Sequence, residues 1–164
     1  VDPTRKENGE AAFTEFLDDK PKVDIVNSNA ALTRVMGSLS AINPEVFLSG
    51  VSKILIASFN VAQAFARYGK LDGVAVNVSS GVAHLNDVDF FIYYSVSKIA
   101  GFRAWDCMAF TNPKLSVYHV QPGVLDMSMS RGARTNESIG LEDHDKWSNI
   151  RSIGCEYGKN TDLF

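Results

Sequence analysis

Three short β-branched runs, at 23–26, 74–78 and 115–120, each close on a polar or glycine-bearing cluster and are separated by long stretches of helical periodicity. The clusters are Asn27-Ser28-Asn29, Ser79-Ser80-Gly81 and Pro122-Gly123. Strands that alternate with helices of this length pair in parallel through crossover connections, because a tight hairpin cannot return the chain in the same direction. In such a sheet ligands bind beyond the carboxyl ends of the strands, so the three clusters define where chemistry is to be sought.

The helices are written in the same terms. At 7–18, Ala12, Phe13, Phe16 and Leu17 predict a short amphipathic helix that stops before Pro21. At 45–68, Phe47, Val51, Ile54, Leu55, Ala62 and Phe65 recur at three- and four-residue steps behind Asn43-Pro44, a cap followed by a first-turn proline. A third helix spans 93–110, and its Phe102, Trp105 and Phe110 read as core or interface. From Arg131 the chain turns polar and irregular and predicts a loop or lid with a poorly ordered tail. The expected organisation is one domain over 1–131, with 132–164 as loop and tail.

Composition narrows the partners. Hydrophobic residues make up 45% of the chain and charged residues 21%, ordinary globular usage. The net charge of −3 comes without a basic cluster, so no nucleic-acid footprint is expected. The apolar stretch 46–66 is broken by Lys53, Asn60 and Gln63, and is read as falling short of a membrane span. Cys107 and Cys155 have no CxxC spacing, which suits a reducing, cytoplasmic setting. His84, His119 and His144 lack metal-like spacing; loop or sheet-edge roles are expected, and no metal.

Tyr94 and Lys98 stand four residues apart, on one face of the third helix. An ammonium beside a phenol favours the phenolate and brings the phenol closer to the range useful for proton transfer. Alone, this spacing recurs by chance in many chains, where the pair is a solvated surface contact. Ser80, fourteen residues earlier at a strand end, adds a hydroxyl able to donate to a substrate carbonyl. Alone, Ser80 reads as a turn or cap residue.

Taken together and in order, these segments resemble the classical short-chain dehydrogenase/reductase family. Asp24-Ile25-Val26-Asn27-Ser28-Asn29-Ala30-Ala31 is similar to the family's strand and Asn-Asn-Ala-Gly, with Ala31 in place of the glycine. Asn77-Val78-Ser79-Ser80 is similar to the catalytic-serine strand, Tyr94 to Lys98 to the Tyr-x-x-x-Lys motif, and Pro122-Gly123 to the turn closing the next strand. The resemblance implies an α/β fold, a partial Rossmann-like doubly wound parallel sheet lacking the first βαβ unit, because no glycine-rich strand–turn–helix precedes the match. It implies hydride transfer between NAD or NADP and a small alcohol or carbonyl, with Tyr94 as general acid or base, Lys98 lowering its pKa and binding the nicotinamide ribose, and Ser80 polarising the substrate oxygen. Asp2 would meet the adenine, Asn29, Ala30 and Ala31 would line the cofactor cleft, and Pro122, Gly123 and Val124 would face the nicotinamide. The two long helices would pair in a homo-oligomer. Ile54 stands where the family carries a fourth catalytic Asn, and Met127, with Ser128 beside it, where it carries a Thr. The alternative these departures raise is a truncated, inactive remnant serving as an interaction module.

Overall fold

The computed structural model describes residues 4–16, 22–32, 39–84, 91–123 and 156–159. Its elements are α1 (Lys6–Phe16), β1 (Val23–Ser28), α2 (Pro44–Tyr68), β2 (Gly69–Val78), a 3-10 turn (Gly81–Ala83), α3 (Ile92–Thr111), β3 (Ser116–Gln121) and β4 (Glu156–Lys159). The sheet order is β1-β2-β3-β4. β1, β2 and β3 are parallel, with Ser28 opposite Asn77 and Val78 opposite Val120. The expected α/β, Rossmann-like arrangement of parallel strands and helices is present.

α2 starts where its sequence says it should. The Asn43 side chain accepts from the backbone N–H of Glu45 at 2.8 Å and of Val46 at 3.3 Å, and Pro44 occupies the first turn, where its missing N–H costs nothing. The helix ends against Gly69, whose N–H donates to the Phe65 carbonyl. A Cβ at Gly69 would stand 2.5 Å from that same oxygen, so only glycine allows the chain to pass directly from helix to strand.

Strand alternation sorts the sheet into two faces. Ala75 and Asn77 of β2 and Val117 and His119 of β3 are buried on the face that carries α2 and α3. Val23, Ala62, Phe65, Ala75, Trp105 and Val117 form the core there, with Phe13 of α1 packed at its margin and stacked on Tyr68. Trp105 is fully buried and donates from Nε1 to Ser58 Oγ at 3.0 Å. α2 and α3 approach closely beside this bond: a Cβ at Gly101 would stand 3.4 Å from Ser58 Oγ. On the opposite face Val74, Val76 and Val120 are half-buried and Ile25 is 64% exposed. Among the described residues no helix packs there.

Four features differ from the sequence reading. β2 begins at Gly69 instead of residue 74, and the extra residues form an irregularity in the register between Val23 and Ile25. β4 pairs antiparallel with β3 in the stretch read as an irregular tail; the remainder of 132–164 lies outside the described residues. His119, expected in a loop or at a sheet edge, is 5% exposed on β3, between β2 and β4. α2 is long and apolar enough, by length and composition, to cross a membrane, although the sequence reading had it fall short. Its apolar residues have a local use, since Ile54, Ala57, Ala62 and Phe65 are buried within this fold.

Candidate active site

Because β1, β2 and β3 run in parallel, their carboxyl ends lie together, and α3 returns to this edge with its first turns. Ser80 lies two residues beyond β2 and Tyr94 in the first turn of α3, with the serine hydroxyl near enough to the phenol to lower its pKa. One turn further, Lys98 is 7% exposed and donates from Nζ to the Val78 carbonyl at 2.7 Å. The same ammonium stands 5.6 Å from the centre of the Tyr94 ring. Ser80, from the end of β2, and Tyr94 and Lys98, one turn apart on α3, therefore form one constellation.

The start of α3 is held by its neighbours. Ser95 Oγ donates to the Val82 carbonyl at 2.6 Å, tying the helix to the 3-10 turn after Ser80, and Ser97 Oγ donates to the Tyr93 carbonyl. Tyr93 Oη donates to the Leu32 carbonyl at 3.1 Å, fixing the helix to the segment after β1. These contacts place Tyr94 relative to two strand ends without using its own hydroxyl.

The electrostatics correct one expectation. Burial pushes the Tyr94 phenol above its ordinary value; the Ser80 hydrogen bond pulls the other way and Tyr93 adds to the rise. The family resemblance has Lys98 lower this pKa, but the loss of water around the phenolate outweighs any help from an ammonium that lies over the ring and is bonded to Val78. Tyr94 is thus a protonated phenol at neutral pH, suited to donate a proton. Lys98 is itself lowered by burial to about 8.

The Lys98 shift is a stability statement with a definite sign. Below pH 8 the folded chain holds a buried ammonium; between about 8 and its ordinary 10.5 the unfolded chain binds more protons, so stability rises with pH through that window. Lys98→Met keeps the stem and removes the charge. It is expected to raise stability at pH 7 by up to roughly 3 kcal/mol, less about 1 for the donor lost by Val78, and to flatten the rise. Urea unfolding of both chains at pH 7 and pH 10 checks this; a less stable Lys98→Met chain would overturn it.

Of the other expected site residues, Asn29, Ala30 and Ala31 follow β1 and Pro122 and Gly123 follow β3, all at the edge that carries Ser80 and Tyr94. Gly123 has a φ of 72°, a left-handed turn that closes β3. Asp2 and Val124 lie outside the described residues, as do Met127 and Ser128. Ile54 is 4% exposed and lines a small cavity with Ser28, Ala30, Asn77 and Lys98. Asn77 was not anticipated, although its position two residues after inward-facing Ala75 was a readable signal for a buried polar side chain.

The donor set fits the nicotinamide–ribose half of a dinucleotide. Lys98 has three protons and gives one to Val78, which leaves donors for ribose hydroxyls beside the Tyr94 phenol. The pyrophosphate half finds no glycine-rich strand–turn–helix in this sequence.

Comparison with known proteins agrees with this fold. The chain is similar in fold to the KRED1-Pglu enzyme, at 19% identity and a TM-score of 0.83 over 91% of this chain and 63% of that one. A short-chain dehydrogenase/reductase from Saccharomyces cerevisiae superposes with a TM-score of 0.83 at 17% identity, covering 92% of this chain and 61% of the other. A gluconate 5-dehydrogenase from Burkholderia cenocepacia, in complex with NADP and tartrate, gives 0.70 at 23% identity over 84% and 55%. The chain thus spans less than two thirds of the length of these structures. No curated protein sequence matches it. The family model for short chain dehydrogenases matches residues 1–138, a span that takes in Ser80, Tyr94, Lys98 and the ends of all three parallel strands, and the chain belongs to that family.

Proposed function

We propose that the protein is an oxidoreductase that transfers hydride between NAD or NADP and a small alcohol or carbonyl compound. The observation that carries this reading is the meeting of the Ser80 and Tyr94 hydroxyls at a strand edge beside a buried Lys98. When bound, the nicotinamide supplies the hydride. Ser80 and Tyr94 hold the carbonyl oxygen, and Tyr94 passes its proton to that oxygen as charge develops there. Lys98 binds ribose hydroxyls and keeps positive potential near the phenol. Asn29, Ala30, Ala31, Pro122, Gly123 and Val124 line the cofactor cleft in this reading, and Asp2 meets the adenine.

The same reading includes pairing of two copies through α2 and α3, whose Leu48, Ile56, Phe59, Ile99 and Phe110 are exposed. Sedimentation equilibrium checks it: a strict monomer at every concentration would count against the pairing.

A fluorescence titration with NADH and NADPH, read as energy transfer from the protein's tryptophans, tests the central claim. Saturable micromolar binding is expected. Absence of binding into the millimolar range would sink the oxidoreductase reading for this polypeptide and leave an inherited but idle constellation.

A further inference from the structure

Outside the catalytic constellation, the described residues hold a buried chain of polar groups that runs from α3 across the helix-covered face of the sheet, from β3 to β2. His119 stands at its centre. Its Nε2 lies 3.1 Å from Asp106 Oδ1 and its Nδ1 lies 3.0 Å from Asn77 Nδ2. Its ring is stacked on Phe102, with centroids 3.8 Å apart. The amide nitrogen of Asn77 has only protons to offer, so Nδ1 must present its lone pair and Nε2 must carry the proton given to Asp106. With the amide in this orientation, the imidazole is neutral, in a single tautomer.

Asn77 belongs to two environments at once. Besides meeting His119, it lines the cavity of about 10 Å³, room for one water molecule, that is shared with Ser28, Ser58, Ser97 and Lys98. An amide has two unlike ends. With Nδ2 committed to His119, the end left over is Oδ1, an acceptor.

We propose that His119 is a positioning residue for Lys98: held between Asp106 and Asn77, it sets which end of the Asn77 amide is available to the cavity beside the ammonium. A proton taken up at Nδ1 would confront the Asn77 N–H, and the amide would turn to accept it with Oδ1. The cavity would then be offered a donor in place of an acceptor, which disfavours the Lys98 cation. Among the described residues, the groups that face His119 are Asp106 on α3, with Arg103 3.5 Å from its other oxygen; His84, across Phe102; and the uncharged Asn77 on β2. Gly158 is the β4 residue in register with it. Burial holds the imidazole below its ordinary value against the pull of Asp106, which keeps it neutral at pH 7.

The consequence for turnover rests on the oxidoreductase reading; the consequence for Lys98 does not. Nitrogen NMR of the full chain at pH 7 should show His119 with Nδ1 bare and Nε2 protonated, assigned by its loss in His119→Gln. Lysine Cε titration then reads Lys98. His119→Gln, which retains a donor for Asp106 and an acceptor for Asn77, should leave the Lys98 midpoint in place and kcat within about twofold. His119→Ala, which releases the amide, should move the midpoint down by at least about half a unit and lower kcat about tenfold with little change in KM. A proton on Nδ1 at pH 7, or the same Lys98 midpoint in the Ala and Gln variants, would overturn the proposal. If His119→Ala does not fold, the tautomer in the unsubstituted chain still decides it. If no variant binds or turns over a nicotinamide, the oxidoreductase reading falls, and the tautomer and the Lys98 midpoint still decide the role of His119.

Discussion

Tyr94→Phe is expected to lower kcat for carbonyl reduction by about 10²–10⁴-fold, the contribution of a positioned general acid, which corresponds to about 3–5 kcal/mol of barrier. The ring and its packing are retained. The substitution removes one hydroxyl that interacts with Ser80, so folding stability should change by no more than about 1 kcal/mol and nicotinamide affinity hardly at all. Because burial raises the phenol above its ordinary value, the reductive rate of the unsubstituted chain should not fall from ionisation of Tyr94 anywhere near neutral pH. Steady-state kinetics beside a nicotinamide titration and a urea melt separate these effects. Equal turnover by the two proteins would remove Tyr94 from the mechanism, whereas lost nicotinamide binding would assign it to the cofactor site alone.

Trp105→Ala should be the most damaging change to the fold, costing about 3–5 kcal/mol. Trp105 is fully buried among Val23, Phe65, Ala75 and Val117, and its Nε1 bond to Ser58 joins α3 to α2. Truncation leaves a cavity under both helices and deprives Ser58 of its donor. Since native domains are stable by only about 5–15 kcal/mol, this loss approaches the threshold of folding. Trp105→Phe refills most of the volume and should recover more than half of it. Thermal and urea denaturation measure both variants; a loss below about 1 kcal/mol for Trp105→Ala would mean that α3 does not rest on the sheet as described.

Much of this was legible in the amino-acid sequence, for identifiable reasons. Asn43-Pro44 carries its own cap chemistry, so the start of α2 could be read locally. Ser80, Tyr94 and Lys98 could be joined through the family resemblance of the segments that carry them, at strand ends that parallel topology brings to one edge. What escaped depends on tertiary surroundings. Residues 69–73 contain two glycines and an aspartate and carry no strand pattern of their own, yet β2 begins there, with Gly69 opposite Val23. β4 exists through its partner β3, and no local pattern announces it. The upward shift of Tyr94 follows from burial, which motif spacing does not encode, and the lone His119 becomes meaningful only once β2 and α3 bring Asn77 and Asp106 to its two nitrogens.

The parallel register of β1 and β2 also governs the order in which the chain can assemble. The partners of Val23 and Ile25 begin at Gly69, beyond the whole of α2, and those of Val78 lie beyond the whole of α3. Among the described strands, a nascent β1 therefore has no partner until a complete crossover has been synthesised. α2, which carries its own cap, can form within that interval. Contacts of such large sequence separation make for slow, late-closing folding, during which Ile25 and its neighbours remain open to other chains. Expression of this protein should accordingly be more sensitive to the pace of synthesis and to chaperone supply than its size alone would suggest.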